Sequence, residues 1–545
     1  MKIIGYSVST ALLAGVSLFA MPQAACAQAA ATGDDGGLAE IIVTANKREE
    51  NLQQTPISIS AISGAQAELQ GLTEIKNISA IAPNVSVLGG TTNATAAVVT
   101  IRGIATAADE TQGFDSPIGL YLDGVYLARS STASFEVADI ERIEVLRGPQ
   151  GTLFGRNTTG GAVNFITKDP SKDAGLKLKA GYGNYRQTQF RGSIDTGSFA
   201  DGSLRMTFTG LYKRRDGVVD NLLQPDKALD PGGYKTTGFR WAALFEPTDN
   251  LTVKNIFDYT KTTGVPMAQQ LAAVGTGVPN PTVFFPGFNN VVPAPVAQYL
   301  AQSTILEAAQ GCGKSPSLTR LAALCLENAG EGTDKVWGDL FRVEADLGGV
   351  KVRSSTAFRK WRSILRGSDI DGLGTIRGAA LGPASTTLNG FPAAVLGVFQ
   401  PAGTAAFLAS QPVFSANVSL FQADNLRDQD QFSQELELIS DSDGPLQWVL
   451  GGFFFHESGS EFNNQKFGFI LNTNQTVYTA GNFGALAPLL QANNPAVYRA
   501  SLQTTALGYR AAGTSKAIYG QLNYRPGGKD GALGITLGLR YTWDK

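Results

Sequence analysis

The chain of 545 residues holds one histidine, His456, so acid–base chemistry would have to be built around it or around carboxylates alone. Neither arrangement is present. There is no Gly-x-Ser-x-Gly elbow, no His-Glu-x-x-His and no carboxylate–histidine constellation. His456 stands near the end of an alternating run and reads as a rim residue. The glycine-dense segment from Leu146 to Ile166 has the composition of a phosphate-cradling loop. It lacks the Gly-Lys-Ser/Thr ending and the strand–loop–helix setting that such loops need. Its glycines suit tight turns with positive φ instead. Cys312 and Cys325, with so remote a histidine, do not make a zinc ligand set. No metal site, cofactor or enzymatic activity is expected.

Other residues suit binding rather than reaction. Glu40, Ile41, Ile42, Val43, Thr44 and Ala45 form a short β-prone island behind a small, acidic, glycine-rich leader, residues 28–39. Such a segment can add as a strand to a partner's sheet edge, its backbone supplying the bonds. The alternative is a strand paired inside the domain that follows. Its place just after a disordered leader favours the tethered form. Arg102 and Arg147 lie in polar motifs. Glu435 and Glu437 share the polar parity of their segment, opposite Leu436 and Leu438.

Four regions position these groups. Residues 1–27 read as a secretory signal: Lys2, the mostly apolar stretch Ile3 to Ala20, then small-x-small sites at Ala25-Cys26-Ala27 and Ala27-Gln28-Ala29. Residues 28–52 are a flexible leader. Residues 53–168 read as a compact mixed α/β domain. From 175 to 545 the pattern becomes strict alternation, as in Leu204, Met206 and Phe208 against Arg205, Thr207 and Thr209. About eleven strands follow, near 176–182, 186–194, 204–213, 236–245, 251–261, 336–346, 350–362, 430–438, 446–457, 515–524 and 535–544. Each has roughly the 9–11 residues of a tilted membrane strand. Connectors alternate between short and long, apart from a tight first hairpin at Gly183-Asn184. Sorting of loop length by parity marks an outer-membrane barrel, not a soluble sandwich. In that setting Glu435 and Glu437 face the lumen. A formal net charge of −2 argues against a nucleic-acid partner.

The segment Leu146-Arg147-Gly148-Pro149-Gln150-Gly151-Thr152-Leu153-Phe154-Gly155-Arg156 through Ile166 resembles the end of the plug domain of TonB-dependent outer-membrane receptors. Ile101-Arg102-Gly103-Ile104, Tyr121-Leu122-Asp123-Gly124-Val125-Tyr126, Ser433-Gln434-Glu435-Leu436 and Leu537-Gly538-Leu539-Arg540-Tyr541 are similar to further motifs of that family. The resemblance covers nearly the whole mature chain. It implies a mainly β fold: a transmembrane antiparallel barrel with an N-terminal mixed α/β plug at 53–168. Family barrels close with about 22 strands, so 175–545 is expected to be the N-terminal portion of a barrel, unable to close alone. Glu40 to Ala45 resembles the TonB box. Arg102 and Arg147 are expected to meet Glu435 and Glu437 in a charge cluster between plug and barrel.

The implied function is active import of a scarce ligand, an iron siderophore or another nutrient, across the outer membrane of a Gram-negative cell. The implied partners are TonB, outer-membrane lipid and the small-molecule ligand. Uptake of a carbohydrate or aromatic nutrient is the alternative, and Val283-Phe284-Phe285-Pro286-Gly287-Phe288 would either stack on such a ligand or pack its own loop. A passive porin would lack the plug and the box. A signal-transducing relative would carry a further domain before the box, where about a dozen residues remain after cleavage. A secreted hydrolase would need the missing nucleophile.

Outside the inner membrane thiols are oxidised, so Cys312 and Cys325 are expected to form a disulfide in the longest loop. It would contribute about 3 kcal/mol on the chain-entropy estimate. Peptide mass mapping under non-reducing conditions should recover the linked pair. Two alkylatable thiols in protein extracted from outer membranes would refute the bridge.

Overall fold

The fold is that of a computed structural model. It describes residues 42–545 except 49, 71–74, 90–96, 106–111, 133–138, 224–225, 271–316, 327–329, 370–375, 382–386, 389–390, 393–413, 419–420, 443, 473–497 and 529–532. The signal region 1–27, the leader 28–39, Glu40, Ile41, the aromatic stretch 283–288 and Cys312 lie outside the described residues. Ile41–Lys545 forms one compact unit.

The chain first pairs β1 (Ile42–Val43) with β2 (Glu50–Asn51). The domain behind them contains β3 (Ile59–Ser63), the helix α1 (Gly64–Leu69), β4 (Ile118–Leu122), β5 (Val125–Leu127), β6 (Ile140–Arg147) and β7 (Gly161–Thr167). These five strands form one sheet in the order β3-β6-β7-β4-β5, with β7 parallel to β4, and Val85–Gly89, Ala97–Ile101 and Ile104–Ala105 form a second. β4 and β5 are joined by a two-residue turn, Asp123-Gly124, with both φ values positive at 50° and 79°. That is the turn an Asp-Gly pair favours, because its twist matches the strands. β7 is buried on both faces: Val163 and Phe165 face the apolar core with Ile101, Ile118 and Val145, while Ala162 packs with Tyr121 and Phe455 on the other side. A strand covered on both faces loses alternation and becomes a continuous apolar run.

Eleven long strands then wrap around this plug: β8 (Ala174–Gly183), β9 (Gln187–Thr196), β10 (Leu204–Arg215), β11 (Tyr234–Thr248), β12 (Leu251–Gly264), β13 (Gly332–Asp346), β14 (Val350–Asp369), β15 (Phe421–Ser440), β16 (Leu446–Asn472), β17 (Tyr498–Tyr524) and β18 (Ile535–Asp544). Consecutive strands pair antiparallel, and the short strand Ile376–Leu381 adjoins β17 and pairs on its other side with Phe414–Val418. One rim carries the short connectors 197–203, 249–250, 347–349, 441–445 and 525–534. The other carries 184–186, 216–233, 265–331, 370–420 and 473–497.

The faces are inverted relative to a soluble sheet. Leu178, Phe190, Phe341, Leu436, Ile518 and Leu539 are exposed on the outside, whereas Asp195, Arg240, Asp258, Arg359, Gln431 and Glu437 are buried inside. That inversion is the signature of a wall between hydrocarbon and a polar lumen. Among the described residues the wall is open: β8 pairs only with β9, and β18 only with β17.

Two expectations need correction. Several strands extend well past the 9–11 residues anticipated: β16 and β17 have 27 residues each, and the excess lies toward the long-loop rim. His456 consequently sits within β16 rather than at a rim, its Nδ1 3.0 Å from Thr514 Oγ1 on β17. Cys325 is buried and disulfide-bonded. The position of Cys312 is not described, so its pairing with Cys325 stays an expectation.

Candidate functional site

The expectation of a freely tethered strand at Glu40 to Ala45 is not met over its described part. Ile42 and Val43 pair with Asn51 and Glu50. The reason is burial: Val43 and Ala45 are 0% and 1% exposed, and Ala45 joins the cluster of Tyr121, Tyr126 and Phe455. A turn follows, in which the Lys47 amide donates to Thr44 O at 3.0 Å and Lys47 takes a φ of 60°. Thr44 is held from below. Its amide donates to Glu144 Oε1 at 2.8 Å and its hydroxyl to the same oxygen at 3.1 Å. Glu144 is fully buried on β6, where Arg142 Nε also donates to it at 2.9 Å. A buried carboxylate with this many donors is satisfied, and removing one donor costs more than the bond's net worth.

The same turn carries Lys47 into the wall. Lys47 Nζ lies 3.0 Å from Glu435 and 3.3 Å from Glu437. Tyr519 Oη on β17 donates to both carboxylates, at 2.7 and 2.9 Å. Arg353 on β14 bridges Glu344 at 3.0 Å and Glu437 at 3.6 Å. Tyr519 can lie across the neighbouring strand because Gly451 stands there. A Cβ at that position would come 2.1 Å from the ring. Burial alone would lower the lysine pKa, but the Glu435 and Glu437 charges and the Glu435 hydrogen bond outweigh it and raise it above 10.5. The charge is therefore stabilised below that value and lost only as pH rises through the raised one.

The plug arginines do not take this place, which corrects the expected cluster. Arg102 occupies the first position of a two-residue hairpin turn, with φ of 51° before Gly103 at 81°. Its side chain is exposed and donates to Ser58 Oγ at 3.3 Å. Arg147 ends β6, and its Nε is buried without a hydrogen-bond partner. Neither forms an ion pair with Glu435 or Glu437 among the described residues. Lys47 lies in the segment whose composition reads as flexible leader; the charged run Lys47-Arg48-Glu49-Glu50, abrupt after an island of β-branched residues, is the signal in the sequence that sets it apart.

The rest of the plug–wall contact joins apolar packing, Leu153 and Phe154 against Ile439, Val449 and Phe453, with further polar contacts. The Gln431 side chain donates to Tyr126 O at 2.7 Å and accepts from the Ala128 amide at 3.1 Å. Arg129 meets Glu457 at 3.0 Å, and Arg240 donates to Thr167 Oγ1 at 2.6 Å. Thr44 and Lys47 border a cavity of about 340 Å³ that also touches Asn164, Arg342, Glu344 and Glu437. The arrangement holds the segment Ile42 to Lys47 against plug and wall through a few separable bonds.

A mixed α/β plug inside an inverted antiparallel wall places the chain in the class of plugged β-barrel proteins. The family profile described as TonB-dependent Receptor Plug Domain matches residues 51–162, so this part of the chain is a plug domain of the TonB-dependent receptor type. It is similar to the pesticin receptor of Yersinia pestis, 26% identical over 183 residues, covering 33% of this chain and 26% of that protein. It is similar to the ferrioxamine B receptor of Salmonella typhimurium, 29% identical over 240 residues, covering 38% of this chain and 33% of that one. The chain thus matches about a quarter to a third of the length of these relatives. In fold it resembles the pyoverdine outer membrane receptor of Pseudomonas aeruginosa, with a TM-score of 0.56 at 11% identity, covering 92% of this chain and 59% of that one.

Lys47→Met would leave two buried carboxylates sharing one arginine. Breaking a buried ion pair costs about 3 kcal/mol or more, so the plug start should detach at lower urea concentration, read as protease cleavage near residue 47. Lys47→Arg should restore most of the resistance. Identical cleavage midpoints for wild type and Lys47→Met would show that the cluster does not hold the plug.

Proposed function

We propose that the protein is the plug-bearing part of a TonB-dependent importer in the outer membrane of a Gram-negative bacterium. It takes up a scarce small molecule, a ferric siderophore or another nutrient, and catalyses no covalent change in it. One observation carries this reading: the described part of the box-like segment, Ile42 to Ala45, is joined through one turn to the ion pairs that fasten the plug to the wall. Traction on this segment would load Thr44–Glu144 and Lys47–Glu435 first. TonB is the partner that would supply the traction, by strand addition to the segment once it leaves β2. The relatives' names support an iron-chelate cargo, and the carbohydrate or aromatic nutrient stays the second reading. A passive pore is disfavoured because the plug fills the space between the described strands.

In this reading the segment has a resting pairing and an energised one, and both need backbone donors. Proline removes a donor and fixes φ. Val43→Pro should therefore abolish energised uptake while surface binding of the same ligand stays near wild type. Val43 is buried, so the mild control is Ile42→Ala at a half-exposed position, which should keep most transport. Binding and uptake are measured together in intact cells carrying the full-length gene. Normal uptake by Val43→Pro would remove the energy-coupling role from this segment.

A further inference from the structure

The lipid face of the wall is uneven in a way that import does not require. Tyr259 and Trp337, directly paired on β12 and β13, mark its aromatic boundary toward the long loops, and Trp337 packs on Phe358 at 5.0 Å and Phe257 at 6.3 Å. Midway between this boundary and the short turns, the outward positions of β8 to β11 and of β16 to β18 hold apolar, aromatic or glycine residues, Leu178, Phe190, Phe208, Leu450, Ile518 and Leu539 among them. β12 to β15 differ. Asn255, Phe341, Thr356 and Gln434 stand directly opposite one another across these four strands. Asp339 lies one outward position above Phe341, and Ser354 one below Thr356. All share the parity of Trp337, Phe341 and Leu436, which are exposed on the outer face. A polar stripe therefore faces hydrocarbon on these strands.

The stripe satisfies itself only in part. Asn255 Nδ2 donates to Asp339 Oδ1 at 3.1 Å, Thr356 Oγ1 donates to Gln434 Oε1, and Gln434 Nε2 donates to Ser354 Oγ at 3.0 Å. Among the described residues the Asp339 carboxylate accepts only the bond from Asn255 and has no ion pair. The Ser354 hydroxyl accepts from Gln434 and still has its own proton to give. Polar groups at this depth are costly unless another protein meets them there. Above the boundary, Lys261 on β12 and Asp430 on β15 also face outward without an ion pair among the described residues. Lys360, directly opposite Asp430, is 3.3 Å from Asp428 instead. Lys261 stands ten residues from the foot of β12 at Leu251, and Asp430 ten from the foot of β15 at Ser440.

We infer that the outer face of β12 to β15 is the contact between two copies of this protein, related by a two-fold axis along the membrane normal. Such an axis keeps every residue at its own depth, so the polar stripe of one copy meets the same stripe of the other. With the axis between β13 and β14, each β13 lies against the second copy's β14, and each β12 against its β15. Asp339, seven residues above Asp346, then meets the hydroxyls of Thr356, six above Val350, and of Ser354. The amides of Asn255 and Gln434, which both donate and accept, meet each other. Lys261 meets Asp430 at equal height, so the charges are complementary as well. Lipid tails offer none of these partners. The inference goes beyond import and is independent of the box and of any imported ligand. It rests on the reading of the sheet as a membrane wall.

The test uses the full-length gene in cells. Outer membranes carrying Lys261→Cys with Asp430→Cys are oxidised with copper phenanthroline and run on a non-reducing gel. The double variant should give a cross-linked dimer, and wild type and both single variants should not. Within one copy the two positions are three strand spacings apart, about 14 Å, too far for a disulfide. Charge reversal gives a second readout, native mass spectrometry in dodecyl maltoside. Lys261→Glu or Asp430→Lys alone should weaken the dimer about tenfold, and the two together should restore it. Asp339→Leu with Gln434→Leu, which makes the stripe apolar, should leave monomers that still take up ligand. No dimer from the double-cysteine variant, equal dimer from a single variant, or a dimer untouched by charge reversal or by the leucines would overturn the interface. A cross-linked product whose mass is not twice that of the chain would overturn the second copy as its occupant. Labelling of Phe208→Cys in intact cells by a membrane-impermeant maleimide would instead overturn the membrane-wall reading, so the two failures are distinguishable.

Discussion

A wall that meets hydrocarbon on one face has to turn its polar side chains to the other. In lipid an unpaired backbone group costs several kcal/mol, so only a hydrogen-bonded sheet can serve, and period two then fills the lumen with charge. Everything inside follows. The plug cannot be packed there by apolar burial alone, because beside Phe453 and Phe455 the surface offered to it includes Arg240, Gln431, Glu435, Glu437 and Glu457. It has to satisfy these groups one by one. Gln431 does so by matching a strand's own donor and acceptor. Lys47 does so by entering a site that would otherwise hold two buried carboxylates near a single arginine. An apolar seam would bind the plug just as firmly, but over a continuous area. Discrete polar contacts can be broken in sequence.

Much of this was legible from the residues. Alternation and loop parity located the strands of the wall: the short-turn ends of β13, β14, β16, β17 and β18 coincide with expectation, at Asp346, Val350, Leu446, Tyr524 and Ile535, and that of β15 falls two residues away, at Ser440. The long-loop ends were missed for a physical reason. Alternation exists only where the two faces see different solvents. Past the aromatic boundary β16 continues through Glu461-Phe462-Asn463-Asn464-Gln465-Lys466 with no apolar stripe, yet it still pairs with β17. Hydrogen bonding persists there after the hydrophobic signal has gone, so a sequence pattern tuned to lipid stops early.

The site was only half legible. Glu435 and Glu437 were found because parity fixes which way a strand residue points. Their partner was not, because it depends on where a turn outside the wall delivers its side chain. Arg102 illustrates the difficulty: an arginine in a polar motif looks available, but its place at a positive-φ hairpin position directs it to the plug surface beside Ser58. Lys47 came from a segment whose composition reads as tether. Two small burials, Val43 and Ala45, are enough to seat it. Composition reports the average character of twenty residues, whereas seating depends on two.

That seating has a consequence for how force would travel on the proposed reading. Among the described residues β1 and β2 share two residue pairs, so their pairing opens at little cost once one end is drawn away. The next bonds along the chain are different in kind: Thr44 is bonded to a buried carboxylate, and three residues later Lys47 is bonded to two more. A pull directed along the chain therefore meets weak backbone pairing first and charged, desolvated contacts second. Water must enter to stabilise Glu144, Glu435 and Glu437 as their partners leave, and the cavity of about 340 Å³ beside Thr44 and Lys47 is where it would enter. The cost of separating each charge falls as its surroundings become wet. Once Lys47 has gone, the remaining contacts of the plug face a hydrated lumen rather than a dry one, and the first release weakens those that follow.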